Sequence, residues 1–195
     1  MISDQPTLLD LKSALPDGFR YHPDLLDEEE ERALVGEIAL LPFRAFEFHG
    51  FEGKRRVVSF GWRYDFNAAR LTEAPPVPEF VRPVRDKAAR FAGLDPRMLE
   101  QLLVTEYEPG AAIGWHRDRA MFGDVLGVSL LSSCTFRFRK KAGARWERAS
   151  LRLAPRSTYL LRGPARTDWE HSIPGVQDLR YSLTFRTFTS RSRPQ

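Results

Sequence analysis

A histidine and an aspartate stand two positions apart in Tyr107-Glu108-Pro109-Gly110-Ala111-Ala112-Ile113-Gly114-Trp115-His116-Arg117-Asp118. The Pro-Gly pair marks a turn, and in extended backbone residues i and i+2 leave one face, so both side chains project together. That makes two metal ligands in need of a third. The candidate is His171, far downstream in Trp169-Glu170-His171-Ser172-Ile173. Two imidazoles and a carboxylate form the facial triad that holds iron(II) on one side of an octahedron, leaving the opposite positions for a cosubstrate and dioxygen. Those open positions serve chemistry, not fold stability. The plainer alternative makes His116 a surface-loop residue and His171 a core histidine with its hydrogen bonds satisfied.

A second constellation lies in Arg180-Tyr181-Ser182-Leu183-Thr184-Phe185-Arg186-Thr187-Phe188. It alternates strictly: Tyr181, Leu183 and Phe185 share one face of a strand, and Arg180, Ser182, Thr184 and Arg186 the other. If the apolar face packs against helices, the polar face looks into the space between two sheets. Two arginines there are costly without anions to receive them, and a dicarboxylate with one end on each removes that cost. The alternative is an open, solvated face.

At 195 residues and 42% hydrophobic content the chain can bury a core without staples. We expect one domain, with an N-terminal extension over 1–97, a catalytic core over 98–188 and a tail over 189–195. The lone Cys134 excludes an internal disulfide framework and a cysteine-rich zinc site, which fits a reducing, cytoplasmic setting. No apolar run approaches the roughly 18 residues of a membrane helix, and the N-terminus, with Asp4 and Asp10, does not read as a signal peptide. No membrane partner is expected. A monomer is the default expectation, though nothing in the sequence sets the oligomeric state. The formal net charge is +4, nearly all of the positive charge being arginine. Arginine forks onto phosphate, so nucleic acid is a candidate partner; an arginine-rich composition with a solvated surface is the alternative.

Residues 1–26 carry Pro16, Gly18 and Pro23 and suggest an arm along the body rather than a packed element. Asp27 with Glu30 is a capping pair, and Leu34, Ile38 and Leu41 recur near helical spacing, which predicts a helix over 28–40 whose acidic run only caps and solvates it. From Phe43 to Phe66 the pattern predicts two strands joined through Gly50 and Gly53. Trp62, Tyr64 and Phe66 alternate onto one face of the second, near Arg55 and Arg56. Aromatic planes beside guanidinium groups suit a flipped or single-stranded base, whereas core filling is the alternative use of the same aromatics. After the proline-rich 74–78, a second helix is predicted over 79–92, ended by Gly93. From about Met98 onward the sequence reads as short strands over 99–106, 125–132, 135–139, 146–153, 158–162 and 180–188. The fold class predicted is therefore mainly β (α+β): a jelly roll with supporting helices.

Tyr-x-Pro-Gly, His-x-Asp, a distal histidine and Arg-Tyr-x-Leu-Thr-Phe-Arg, in that order over Leu102 to Phe188, resemble the AlkB-like family of iron(II)- and 2-oxoglutarate-dependent dioxygenases. The resemblance implies a double-stranded β-helix with an N-terminal substrate lid. It implies that His116, Asp118 and His171 hold Fe(II), that Tyr107 and Arg180 bind the far carboxylate of 2-oxoglutarate, and that Arg186 binds the carboxylate nearest the metal. It implies oxidative decarboxylation with O2 to succinate and carbon dioxide, hydroxylation of a C–H bond and, for an N-methyl group, loss of formaldehyde. Thr105 and Ser182 stand where members near the bacterial founder carry asparagines, and their hydroxyls can still donate to a carboxylate. Ala120 stands where those members carry a substrate-contacting acid, so the usual base preference is not implied. The expected function is oxidative demethylation of alkylated nucleobases in DNA or RNA. Trp62 and Tyr64 are then the candidate stacking residues, and Arg55, Arg56, Arg137 and Arg139 the candidate phosphate contacts. The alternatives are the same chemistry on a protein or small molecule, and a non-catalytic jelly-roll module that binds nucleic acid.

Overall fold

In the computed structural model, residues 15–48, 51–65, 70–190 and 192 are described; Phe66, one of the alternating aromatics, and Gly50 lie outside them. Strict alternation decides the architecture. Seven strands form one antiparallel sheet in the order β1 (Phe19–His22), β11 (Thr158–Leu161), β8 (Phe122–Leu130), β13 (Arg180–Phe188), β6 (Gln101–Tyr107), β3 (Phe51–Phe60) and β2 (Arg44–Phe48). Four more form a second sheet in the order β10 (Arg145–Leu153), β9 (Cys134–Ala142), β12 (Glu170–Ile173) and β7 (Ile113–His116). The two sheets face each other in a jelly-roll arrangement that hydrogen bonding does not close into a barrel.

Each face of the large sheet has its own core. Leu102, Val104, Leu126, Val128, Leu183 and Phe185 pack under α1 (Glu28–Ile38) and α2 (Arg82–Ala92), whose Leu34, Ile38, Val84 and Ala88 are buried on them. Phe136, Phe138, Tyr159, Leu161 and Ile173 fill the space between the sheets. The apolar half of β13 thus lies under the helices, as its alternation predicts, and the polar half looks between the sheets.

Several expectations change. The segment expected as a loose arm contains β1, which pairs with β11 through Phe19↔Leu161 and Tyr21↔Tyr159. Phe19 packs edge-on to Phe138 at 5.0 Å, and Arg20 caps the Phe91 ring at 4.7 Å, so both faces of this short strand are used. The helix predicted to Leu40 stops at Ile38; its Asp27–Glu30 capping box forms in both directions. The acidic run does more than cap: buried Glu31 accepts from the Leu131 amide at 2.8 Å and from Arg156 at 3.1 Å, tying α1 to the turn between β8 and β9.

The stretch expected to hold two strands holds three. Gly61, with φ +71°, bends the chain out of the large sheet, and Trp62–Asp65 (β4) pairs instead with Arg70–Glu73 (β5) as a separate hairpin. A Cβ at Gly61 would lie 2.1 Å from the Glu100 carbonyl oxygen, so both conformation and space require glycine here. A short helix, α3 (Pro164–Thr167), and the strands β7 and β12 also form where loops were expected.

Gly61→Ala should cost about 2 kcal/mol in urea unfolding. Gly36→Ala, on the open face of α1 where a methyl meets nothing within 4 Å, should gain ~0.5–1 kcal/mol. Equal effects from the two would show that the bend at Gly61 is not what fixes the hairpin.

Candidate metal centre

The two histidines are brought together by register rather than by sequence. β12 pairs with β7 so that His171 and His116 are direct cross-strand partners, their ring centroids 4.3 Å apart. Asp118 stands two residues past the end of β7, with Oδ2 3.6 Å from His171 Nε2. One ligating atom from each of the three residues lies within 4.8 Å of the others. All face the space between the sheets, and the Asp118 side chain is only 5% exposed.

The protonation states suit a metal. His116 Nδ1 donates to the Gly114 carbonyl at 2.8 Å, which leaves Nε2 with its lone pair. Burial pushes the His116 imidazole below its usual range, and burial with the neighbouring His116 pushes His171 down to about 3, so both rings are neutral near pH 7. Burial alone would raise Asp118, but Arg186 and the two imidazoles overcome it and hold the carboxyl well below the ordinary range. Arg186 Nε donates to Asp118 Oδ1 at 2.7 Å, and its Nη1 donates to Gln101 Oε1 at 2.7 Å. Arg186 therefore orients a metal ligand and is itself oriented by its cross-strand partner on β6.

Beside the triad, Thr105 and Tyr107 on β6 pair with Ser182 and Arg180 on β13, all on the inner face. Arg180 is 1% exposed. Its Nε donates to Ser129 at 3.1 Å and its guanidinium lies 4.9 Å from the Tyr107 ring centre, yet Nη1 is buried with no protein partner. A buried, half-satisfied guanidinium costs several kcal/mol unless an anion completes it. These four residues line the same pocket as the triad, so the donor set fits a carboxylate-bearing molecule next to an iron ion.

The remaining sequence candidates separate. Arg55 lines this pocket and donates to the Ala112 carbonyl at 3.4 Å. Arg56, its neighbour, points to the other face of the sheet, where its Nε meets buried Glu106 at 2.6 Å. Tyr64 carries the Arg119 guanidinium 4.7 Å from its ring centre, which sets it beside the loop that follows Asp118. Trp62 stands edge-on to buried Phe188 at 6.1 Å. Arg137 and Arg139 leave β9 on the side opposite Phe136 and Phe138, so they lie on the outer face of the small sheet, away from the pocket.

Three contributors carry no motif. Gln101 is recognisable only from its register with Arg186. Arg166, buried between α3 and the metal loop, donates through Nη2 to the carbonyls of Arg119 and of Phe122, the latter at 2.8 Å, and so pins the segment after Asp118. Tyr159 lies flat over Gly127, its cross-strand partner, where a Cβ would sit 2.2 Å from the ring. That ring stacks on Phe136 at 4.8 Å, and Phe136 lies 5.3 Å from His171. Burial keeps the Tyr159 hydroxyl protonated.

A pocket of this kind between the sheets of an open jelly roll is that of mononuclear iron oxygenases with a dicarboxylate cosubstrate. The chain belongs to the 2OG-Fe(II) oxygenase superfamily, whose sequence model matches residues 18–186. Its relatives are AlkB-like. The "Alkylated DNA repair protein ALKBH8 homolog" of Arabidopsis thaliana is 28% identical over 192 residues, covering 86% of this chain and 54% of that protein. The "DNA oxidative demethylase ALKBH2" of Mus musculus is 34% identical over 140 residues, covering 65% of this chain and 57% of that protein. These alignments span little more than half of each relative's own length. The solved structure of OsALKBH1 superposes with a TM-score of 0.69 at 14% identity, covering 89% of this chain and 98% of that one.

The depressed His171 value makes a pH prediction for the metal-free protein. Unfolded, this histidine takes up a proton near 6.5; folded, it resists to about 3. The folded state binds fewer protons in that window, so stability is complete above 6.5 and falls as the pH drops towards 3. Thermal melts of chelator-treated protein should show a falling midpoint from pH 7 to 5, and His171→Gln should flatten that limb.

Proposed function

We propose that this chain is an iron(II)- and 2-oxoglutarate-dependent dioxygenase that removes alkyl groups from nucleobases of DNA or RNA. The observation that carries the reading is the buried convergence of His116, Asp118 and His171 beside Arg180, whose Nη1 has no protein partner. His116, Asp118 and His171 would hold the iron. Arg180, with the hydroxyls of Tyr107, Thr105 and Ser182, would receive the far carboxylate of the cosubstrate, and Arg186 would keep Asp118 aimed while facing the near one. When bound, iron(II) with 2-oxoglutarate and dioxygen supplies the oxidising power for C–H hydroxylation.

The protein's own work is alignment and exclusion of water. Arg166 holds the loop after Asp118 in place, and the aromatic wall of Tyr159 and Phe136 keeps the inner side of the pocket dry. A nucleobase is supported by Tyr64, a planar ring next to the metal loop, and by two guanidinium groups near the mouth, Arg119 and Arg55. The names of the two relatives, a DNA oxidative demethylase and an alkylated-DNA repair protein, point the same way. Ala120 supplies no acid to read a base edge, so recognition would rest on stacking and shape more than on a charged hydrogen bond.

Protein supplied with iron(II), 2-oxoglutarate, ascorbate and oxygen should form succinate, and His116→Ala should abolish it. Arg180→Gln should raise KM for 2-oxoglutarate about 10- to 100-fold, the worth of one or two charge-assisted hydrogen bonds. Incubation with total tRNA and with alkylated single-stranded DNA, followed by nucleoside mass spectrometry, identifies the substrate; unchanged nucleosides in both pools would redirect the search to proteins and small molecules.

Between the two lid aromatics, Tyr64→Ala should raise KM for the strand roughly tenfold through lost stacking. Trp62→Ala should instead lower the melting temperature through lost packing on Phe188. The reverse result would assign stacking to Trp62.

A further inference from the structure

The pocket leaves the outer face of the small sheet unused, and that face has a definite character. β9 and β10 pair in register as Lys141↔Trp146, Arg139↔Arg148, Arg137↔Ser150 and Thr135↔Arg152. These are the positions opposite the buried Phe136, Phe138 and Leu153, so they share the outward face. Lys141, Arg139, Arg137, Arg148 and Arg152 place five cations on two strands. Among the described residues of this sheet, the outward positions of β12 and β7 add one carboxylate, Glu170, which pairs with Arg139 at 2.6 Å, and one more aromatic, Trp115. Five cations against one carboxylate leave this face with a local excess of four positive charges.

Two further observations point to a ligand. Arg139 and Arg148 are direct cross-strand partners, a like-charge pair that is unfavourable unless anions answer it; Glu170 answers Arg139 at 2.6 Å, which leaves the outward Arg148 as the member an added anion would meet. The cations are also interleaved with planes: the Arg139 guanidinium lies 4.5 Å from the Trp146 ring centre and 4.6 Å from that of Trp115, and Arg137 lies 5.0 Å from Trp115. Trp146 is 39% exposed. The result is a row of flat groups running across the sheet from β10 to β7. On β9 the cations Arg137, Arg139 and Lys141 repeat every second residue, roughly 7 Å at ~3.4 Å per residue, a spacing that suits successive phosphates of an extended strand; on β10 Arg148 and Arg152 stand four residues apart with Ser150 between them. β7 is the edge of this sheet, and His116 sits on its other side, so a strand led across the face arrives at the rim of the metal pocket.

We propose that this face binds a single strand of nucleic acid, its phosphates on Arg148, Arg152, Arg137 and Lys141 and its bases against Trp146. The inference deepens the proposed function and rests on it for the reason a strand is held at all. It differs in place, because none of these residues lines the pocket.

Fluorescence anisotropy of the 195-residue chain with fluorescein-labelled oligonucleotides of dT and of rU tests it. The charge-reversed pair Arg148→Glu with Arg152→Glu should weaken binding tenfold or more, and its neutral counterpart Arg148→Gln with Arg152→Gln should lower the log–log salt slope by about 1.4, the share of two phosphate contacts on a single strand. Trp146→Ala should weaken binding roughly tenfold, and quenching of tryptophan emission by unlabelled strand in the wild type should largely disappear in Trp146→Phe. His116→Ala should bind as the wild type does. Face variants that melt normally and bind like wild type, while alkylated bases are still oxidised, would overturn the inference and leave the proposed function standing. Competition by polyglutamate at equal charge, with no effect of Trp146→Ala, would overturn it in favour of an acidic protein partner. Failure of every strand to bind, with both nucleic-acid pools unoxidised, would overturn both.

Discussion

Asp118 is a carboxylate taken almost wholly out of water, and the guanidinium of Arg186 at 2.7 Å is what makes that tolerable. Much of the molecule can be derived from this contact. Arg186 must itself be buried, so it is flanked by Gln101 on one side and stands on β13, the central strand of the large sheet between β8 and β6. A central strand is fixed by ladders on both edges, and its alternation has no freedom to slip, since a one-residue shift would turn Arg180 and Arg186 into the helix-packed core. The metal ligand is thereby positioned by the most constrained strand available, although its own segment is a loop.

The same alternation divides labour across the sheet. Tyr181, Leu183 and Phe185 anchor the helices, while Arg180, Ser182 and Arg186 furnish the pocket, one residue out of step. Polar groups are admitted between the sheets because each has a partner or awaits one: Arg180 keeps Ser129 on one nitrogen and an open donor on another. Aromatic rings close the rest. Gly127 exists to let the Tyr159 ring lie against the backbone, and that ring backs Phe136, which in turn backs His171.

Sequence showed the chemistry more clearly than the scaffolding. His116 and Asp118 at i and i+2 and the alternation of Arg180–Phe188 are local patterns, and local patterns survive folding. β1 escaped because Phe19 and Tyr21 alternate over only four residues between Gly18 and Pro23, where turn signals dominate. The hairpin of β4 and β5 escaped because Phe60-Gly61-Trp62 reads as one continuous strand until φ at Gly61 is known. Arg55 and Arg56 are identical in type and adjacent, so only pairing with β6 could tell the pocket residue from the partner of Glu106. Arg166 and Gln101 act through carbonyls and an amide that no spacing announces. The outward placement of Arg137 and Arg139 likewise depends on which face of β9 is covered, a question of layers and not of residue type.

Among the described residues, β7 hydrogen-bonds to a neighbouring strand on one side only. Backbone amides along its free margin exchange with solvent through small local openings, without the whole domain coming apart. An ion shared by His116 on this margin and His171 on the interior strand would act as a rivet, joining the most weakly fastened strand of one sheet to its better-fastened neighbour and, through Asp118 and Arg186, to the middle of the other sheet. Loading with metal would then do mechanical as well as chemical service: it would stiffen the lip of the pocket itself.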